Sequence, residues 1–312
     1  MSCAPVSVVV PMRDEAPTVG ALLEGLARQT VRPRELVFVD SGSRDGSAER
    51  VRAWWAASGW PEASCRVLEA PGAFPGGGRN AGVAASGQPW IAFIDCGIVP
   101  EPAWLASLLA CAEGRARGAL GHCVFEGDGA WARAFCALSY GVGTQRPVLP
   151  SSIFRRELFD EVGGFDPALR AGEDLLWLEK LRAAGVALAD CGAARTAYAH
   201  FPTSPAGAFR KWFEYERSAS AAGIGGVPRR LLLGALLVLY AAPFVDLLAG
   251  AGLWLAYLLL RVVADPLRRS RRRAWWRGAP LALLAALPAA LALDTGRALG
   301  SVAGIFADAP RG

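Results

Sequence analysis

Short apolar runs rich in β-branched residues recur through roughly the first 200 positions, each followed by a stretch with helical spacing. VSVVV (6–10) predicts a buried strand, and Val19, Leu22, Leu23 and Leu26 then return at the three-to-four spacing of a helix face. LVFVD (36–40) predicts a second strand and 48–57 a second helix. CRVLE (65–69) and WIAFID (90–95) predict two more strands. Strands about 30 residues apart with helices between them are βαβ units, so the expectation is an α/β domain built on a mostly parallel sheet flanked by helices. Ligands of such sheets sit beyond the carboxyl ends of the strands, where PMRDE (11–15), Asp40 and Asp95 all fall.

The pattern changes after residue 225. From 231 to 263 the chain is apolar except for Asp246 and Arg261. As one helix this run would be about 50 Å long, against about 30 Å for a hydrocarbon core. A hairpin turning near Pro243 and Asp246 fits better. Arg229 and Arg230 precede the run, and Arg268, Arg269, Arg271, Arg272 and Arg273 follow it, which places both ends on the cytoplasmic side. A further stretch, 279–293, is interrupted by Pro288. Beyond it Asp294, Arg297 and Ser301 share one helical face and Leu299, Val302 and Phe306 the other, an amphipathic pattern suited to a membrane interface. The expected division is 1–225, a catalytic α/β domain, and 226–312, a membrane-associated region of hydrophobic helices.

Composition sharpens this picture in three places. The net charge is +5, and of the 33 basic residues only Lys180 and Lys211 are lysine. An arginine cluster beside long apolar segments favours a membrane surface over nucleic acid. The 7 cysteines form no CxxC pair and the chain has 2 histidines, so a structural zinc site is not expected, and the scattered thiols suit a reducing cytoplasm. The segment MSCAPVSVVVPMRDE lacks the basic start and long apolar core of an export signal, so a cytoplasmic domain on a bacterial-type inner membrane is expected.

Five segments carry the candidate chemistry in order: VSVVVPMRDE, LVFVDSGSRDGS, PGGGRNAGVAASG (75–87), IAFIDCGIVPEPAWL and FRRELFDEVGGFDPALRAGEDLLWLEKL. PGGGRNAG contains a GxGxxA match, but it does not directly follow a strand as a dinucleotide fingerprint must. Together, over about residues 5 to 215, the five resemble family 2 glycosyltransferases, inverting enzymes of the GT-A fold that use nucleotide-sugar donors.

The resemblance implies roles residue by residue. Pro11 and Glu15 border the base pocket, Asp40 accepts a hydrogen bond from the nucleobase, and Arg79 faces the nucleotide. Asp95 is the first acid of the DxD motif; Gly97 replaces the second, which weakens any Mg²⁺ or Mn²⁺ site. His200 matches a histidine that closes over metal and diphosphate. Glu173 and Asp174 are the ED pair, with Asp174 the general base. Several have plainer readings: turn-capping for Asp40, a solvated helix arginine for Arg79, a satisfied structural histidine for His200, and first-turn helix acids for Glu173 and Asp174. Arg210, Lys211 and Arg217 with Trp212, Phe213 and Tyr215 suit either a diphosphate and sugar wall or ordinary solvated and core faces. The implied activity is sugar transfer from a nucleotide sugar to a lipid-linked or membrane-presented acceptor. The alternative is a catalytically degenerate nucleotide-sugar-binding regulator or scaffold of a glycan assembly complex, motivated by Gly97.

Overall fold

The computed structural model describes residues 3–60, 63–114, 116–224, 227–271 and 274–306. Arg272 and Arg273 lie outside the described residues, as do the side chains of Arg229 and Arg230. The chain divides into two compact units, Met1–Val124 with Gln145–Tyr198, and Phe125–Thr144 with Ala199–Gly312. Residues 125–144 and 199–224 fall in the same unit as the C-terminal helices, alongside the expectation of a division at 225/226.

The first unit is an α/β sheet. Its strands are β1 (Cys3–Met12), β2 (Arg32–Asp40), β3 (Ser64–Glu69), β4 (Trp90–Phe93), β5 (Ile98–Pro100), β6 (Gly118–Phe125), β7 (Gln145–Pro147), β8 (Ile153–Arg155) and β9 (Ala189–Tyr198). The order is β3-β2-β1-β4-β8-β6-β9-β5, with β7 paired to β6. The pairs among β3, β2, β1 and β4 are parallel, as expected, whereas β4–β8, β6–β8, β6–β7 and β5–β9 are antiparallel. The expected mostly parallel sheet is therefore mixed, its antiparallel part built by strands β5 to β9.

Strand alternation explains why the first half is apolar throughout. Val6, Val8, Val10, Phe38, Ala92 and Ile94 feed one core, while Val9, Val37, Val39, Ile91 and Phe93 feed another. A strand buried on both faces reads as a continuous apolar run. The first core is closed by α1 (Val19–Ala27), α2 (Ser47–Ser58) and α4 (Trp104–Cys111); the second by α3 (Pro75–Ala85), α6 (Glu157–Glu161) and α7 (Glu173–Ala183). Helix α5 (Gly129–Ser139) belongs to the second unit. A disulfide joins Cys111 at the end of α4 to Cys191 in β9, with Cα atoms 5.9 Å apart. This corrects the expectation of reduced thiols throughout: 80 residues separate the pair, and only the pairing of helix with strand brings them together.

The second unit is helical: α5, α8 (Pro205–Ala221), α9 (Val227–Val245), α10 (Leu247–Tyr257), a wide turn at 258–264, α11 (Asp265–Arg269) and α12 (Ala282–Ile305). The helix break falls where the sequence places the hairpin. Asp246 caps α10 by accepting from the Ala249 N–H at 2.9 Å, and Gly250 lies against Pro243, with room for no Cβ. Leu247–Arg269 and Ala282–Ile305 are long and apolar enough to cross a membrane by length and composition. Pro288 does not interrupt α12; it sits on the exposed side, where one missing N–H is tolerated.

Helix α12 packs along α8 and α5. Gly296, Gly300 and Gly304, spaced at four, press on the α8 carbonyls of Phe209, Phe213 and Arg217, where an added Cβ would come within 2.7, 2.3 and 2.4 Å. The inward side of this helix is mostly alanine and glycine, and two residues of the expected polar face lie on it. Asp294 and Ser301 are buried, whereas Leu284, Leu299 and Phe306 are exposed. Trp212 is buried and stacks near Phe135, and Lys211 lies over Trp212 and Tyr215.

Candidate functional site

The site lies in the first unit, at the carboxyl edge of β1, β2 and β4. Register sets it out: Met12 pairs with Asp40, Asp40 with Glu69, and Val9 with Phe93, so Pro11, Asp40 and Asp95 emerge along one edge.

The loops after β1 and β2 are stitched together. Asp14 adopts a left-handed backbone with φ of 54°, which aspartate tolerates better than most residues. Its N–H donates to Ser43 Oγ at 2.9 Å, and its Oδ1 accepts from the Arg44 N–H at 2.8 Å. The Glu15 N–H donates to Ser47 Oγ at 2.7 Å and the Ala16 N–H to Asp45 Oδ2 at 2.8 Å. Asp40 joins the same network, its Oδ1 accepting from the Ser43 N–H at 2.9 Å and the Ser43 hydroxyl at 2.6 Å. The turn-capping reading of Asp40 is thus realised, but it uses one carboxylate oxygen. Glu15 accepts from the Thr18 hydroxyl.

Beside this edge, Arg79 on α3 is buried between two acids. Its Nη1 donates to Glu173 Oε1 at 2.6 Å and its Nη2 to Asp95 Oδ1 at 2.8 Å. Burial alone would lower its pKa; Asp95, Glu173 and Asp174 outweigh that and raise it. The guanidinium is a fixed positive charge. Burial pushes the Glu173 carboxyl up against the pull of Arg79, and neighbouring Asp174 adds to the rise. Asp95 is different, with 37% of its side chain exposed.

The glycine-rich segment of α3 makes this approach possible. An added Cβ at Gly82 would meet Val9 Cγ1 at 2.3 Å, and one at Gly76 would meet the Asp166 carbonyl at 2.7 Å. These glycines bring the helix against the sheet and the loop before α7, a packing role rather than a dinucleotide cradle. Asn80, which sequence reasoning passed over, clamps that loop: its Nδ2 donates to the Phe165 carbonyl at 2.8 Å and its Oδ1 accepts from the Phe165 N–H at 2.9 Å. Its signal was the RN pair, legible only once the partner loop is known.

Buried Cys96 marks how the acids lie. Burial raises its thiol pKa well above the ordinary value, with Glu15, Asp95 and Asp40 adding to the rise. Asp95 therefore belongs to two groups, with Glu15 and Asp40 around Cys96, and with Glu173 and Asp174 around Arg79. Asp174, at the N-terminus of α7, is partly exposed. His200, expected near the diphosphate, is an exposed residue of the second unit, two positions beyond β9.

As a metal site the donor set is poor. Asp95 commits one oxygen to Arg79, Gly97 has no side chain, and among the described residues no three His, Cys, Asp or Glu side chains are grouped to hold an ion.

Comparison with known proteins adds a family. The model for "Glycosyl transferase family 2" matches residues 7–171. The chain is similar to pre-mycofactocin glycosyltransferase of Mycobacterium tuberculosis, 32% identical over 202 residues, covering 59% of this chain and 40% of that protein. It is also similar to glycosyltransferase AglE of Haloferax volcanii, 25% identical over 197 residues, covering 59% of this chain and 63% of that one. The matched regions thus span under two thirds of either relative. Among solved structures, the fold resembles mannosyltransferase PcManGT from Pyrobaculum calidifontis in complex with GDP-Man and Mn²⁺, with TM-score 0.54, 20% identity, and coverage of 98% of this chain and 87% of that one.

Proposed function

The chain belongs to glycosyl transferase family 2, and from that premise we propose that it is a membrane-attached inverting transferase with a GT-A-type site, moving a sugar from a nucleotide-sugar donor to a lipid-linked or membrane-presented acceptor. The observation that carries this reading is Arg79, which ties the donor-side acid Asp95 to the acid pair opening α7.

In this reading Pro11, Glu15 and Asp40 border the nucleoside, held by the stitched loops. Arg79, expected to face the nucleotide, is instead buried between Asp95 and Glu173 and acts on the site by holding these two acids in place. Glu173 anchors the start of α7, and Asp174 beside it, partly exposed, takes the proton of the acceptor hydroxyl. The acceptor oxygen then bonds to the anomeric carbon on the face opposite the nucleotide, the bond to the diphosphate oxygen breaks, and configuration inverts. The residues present do not build a metal cradle, so no step here is routed through a cation. Were Mg²⁺ or Mn²⁺ bound with the donor diphosphate, Asp95 is the residue of this edge that would meet it, and the ion would offset charge on the leaving group.

Relatives named as glycosyltransferases support sugar transfer, and the two long apolar helices of the second unit support membrane attachment. Asp174→Asn tests the mechanism. Donor binding, found first by thermal-shift screening of nucleotide sugars, should persist while transfer falls about 10²–10⁴-fold. Undiminished transfer by the variant refutes the assignment of Asp174.

A further inference from the structure

The second unit carries a cationic cluster unrelated to the site above. In the helix Leu247–Arg269, only 6% of the most apolar stretch is buried, and Leu253, Leu255, Leu259, Leu260 and Val263 are exposed. This apolar face ends where the helix widens at 258–264 and α11 begins. There Asp265 gathers three guanidiniums: Arg261 Nη1 at 2.9 Å, Arg268 Nη2 at 3.2 Å and Arg269 Nε at 2.7 Å. Arg261 is also held by Asp294 of α12 through Nε at 2.8 Å and Nη2 at 2.9 Å.

Three arginines against two aspartates leave positive charge in excess, and exposed Arg271 adds to it. The members differ in availability. Arg261 is spent on Asp294, Asp265 and the Leu138 carbonyl, and its side chain is 17% exposed. Arg268 makes one bond to Asp265 and is 80% exposed, held at one corner with its remaining donors facing out. Leu260, Arg261, Ala264, Asp265 and Arg268 line an open cavity of about 390 Å³. Apolar wall on one side and arginine on the other describe a ligand that is itself divided, with an anionic head and a hydrocarbon body. Half-buried Trp276 follows in sequence, the residue type that sits at the headgroup level of bilayers, packed edge-on against buried Trp275.

We infer that this cavity binds the phosphate headgroup and first methylenes of an anionic membrane lipid, with Arg268 the principal phosphate donor and Asp265 the residue that positions it. Charge complementarity selects the occupant: a zwitterionic headgroup would bring a second cation to a cluster already in cationic excess. Asp265 holds the three arginines together through its own hydrogen bonds. The inference rests on the membrane attachment proposed above and not on sugar transfer.

The test uses the full chain in neutral detergent micelles, titrated with phosphatidylglycerol, phosphatidylcholine or inorganic phosphate while the thermal unfolding midpoint is followed. Phosphatidylglycerol should raise the midpoint saturably, and phosphatidylcholine and inorganic phosphate should not. Arg268→Gln, an exposed change that leaves the fold intact, should weaken the phosphatidylglycerol response about fivefold, the effect of one basic residue at an anionic surface. Arg268→Lys should recover most of it, and Arg277→Gln, which lies outside the cavity, should retain the full response. An equal rise with phosphatidylcholine or with inorganic phosphate, or an unchanged response in Arg268→Gln, overturns the lipid site. None of these outcomes bears on Asp174, whose variant is read by transfer.

Discussion

Each unit holds one arginine between two acids, and the two triads differ in what they leave open. In the first unit Arg79 links Asp95 to Glu173, and Asp95 keeps 37% of its side chain exposed. In the second unit Arg261 links Asp265 to Asp294, and those side chains are 13% and 5% exposed. The surroundings also differ. The first unit hides its aliphatic residues in two cores and sets acids along the strand ends. The second hides Asp294 and Ser301 and turns Leu284, Leu299 and Phe306 outward. One device thus serves a site that must meet a ligand and a helix bundle that must present apolar surface.

The comparison breaks most directly at the arginines. Arg79→Met and Arg261→Met should each cost about 3–5 kcal/mol in denaturant unfolding, because each strands a buried carboxylate. Only Arg79→Met should also lose nucleotide-sugar binding by calorimetry. Loss of binding in both variants would erase the distinction between an open and a closed triad. Next in size is the glycine seam. Gly300→Leu forces a side chain against the Phe213 carbonyl and should destabilise the second unit by about 1–3 kcal/mol, lowering its melting step while donor affinity is unchanged.

A smaller effect follows from Glu173, whose carboxyl burial raises above the ordinary 4.5. A carboxyl raised on folding contributes its stability fully below that value and loses it as pH rises through the folded pKa. Wild type should therefore lose stability relative to Glu173→Gln across that window, and parallel pH profiles would contradict the raised value. The smallest change is Leu284→Ser. On an exposed face it should alter unfolding by no more than about 0.5 kcal/mol, yet reduce partition into lipid vesicles. A marked loss of stability would mean that this face is not a solvent- or lipid-facing one.

What the sequence revealed follows from the range of the interactions involved. The four parallel strands, the helix break at Asp246 and the inward and outward faces of α12 all arise from neighbours in sequence, and periodicity displays them. Which face of α12 turns inward depends on α8 and α5, and its pattern alone cannot say. Arg79 was legible as a candidate, but its two partners lie 16 and 94 positions away. The Cys111–Cys191 bridge was hidden for the same reason, since nothing local distinguishes those two cysteines from the other five. Asp40 shows the reverse: the sequence offered a turn cap and a ligand contact as rivals, and the network leaves room for both.

The hydrogen bonds joining the segment at Asp14–Ala16 to the segment at Ser43–Ser47 have a kinetic corollary. Chain entropy there is surrendered when the protein folds, not when a donor arrives, so little of the association energy is consumed in ordering these two loops. Under the proposed function a donor reaching this edge would meet a finished mould, and slow rearrangements would be sought in other segments.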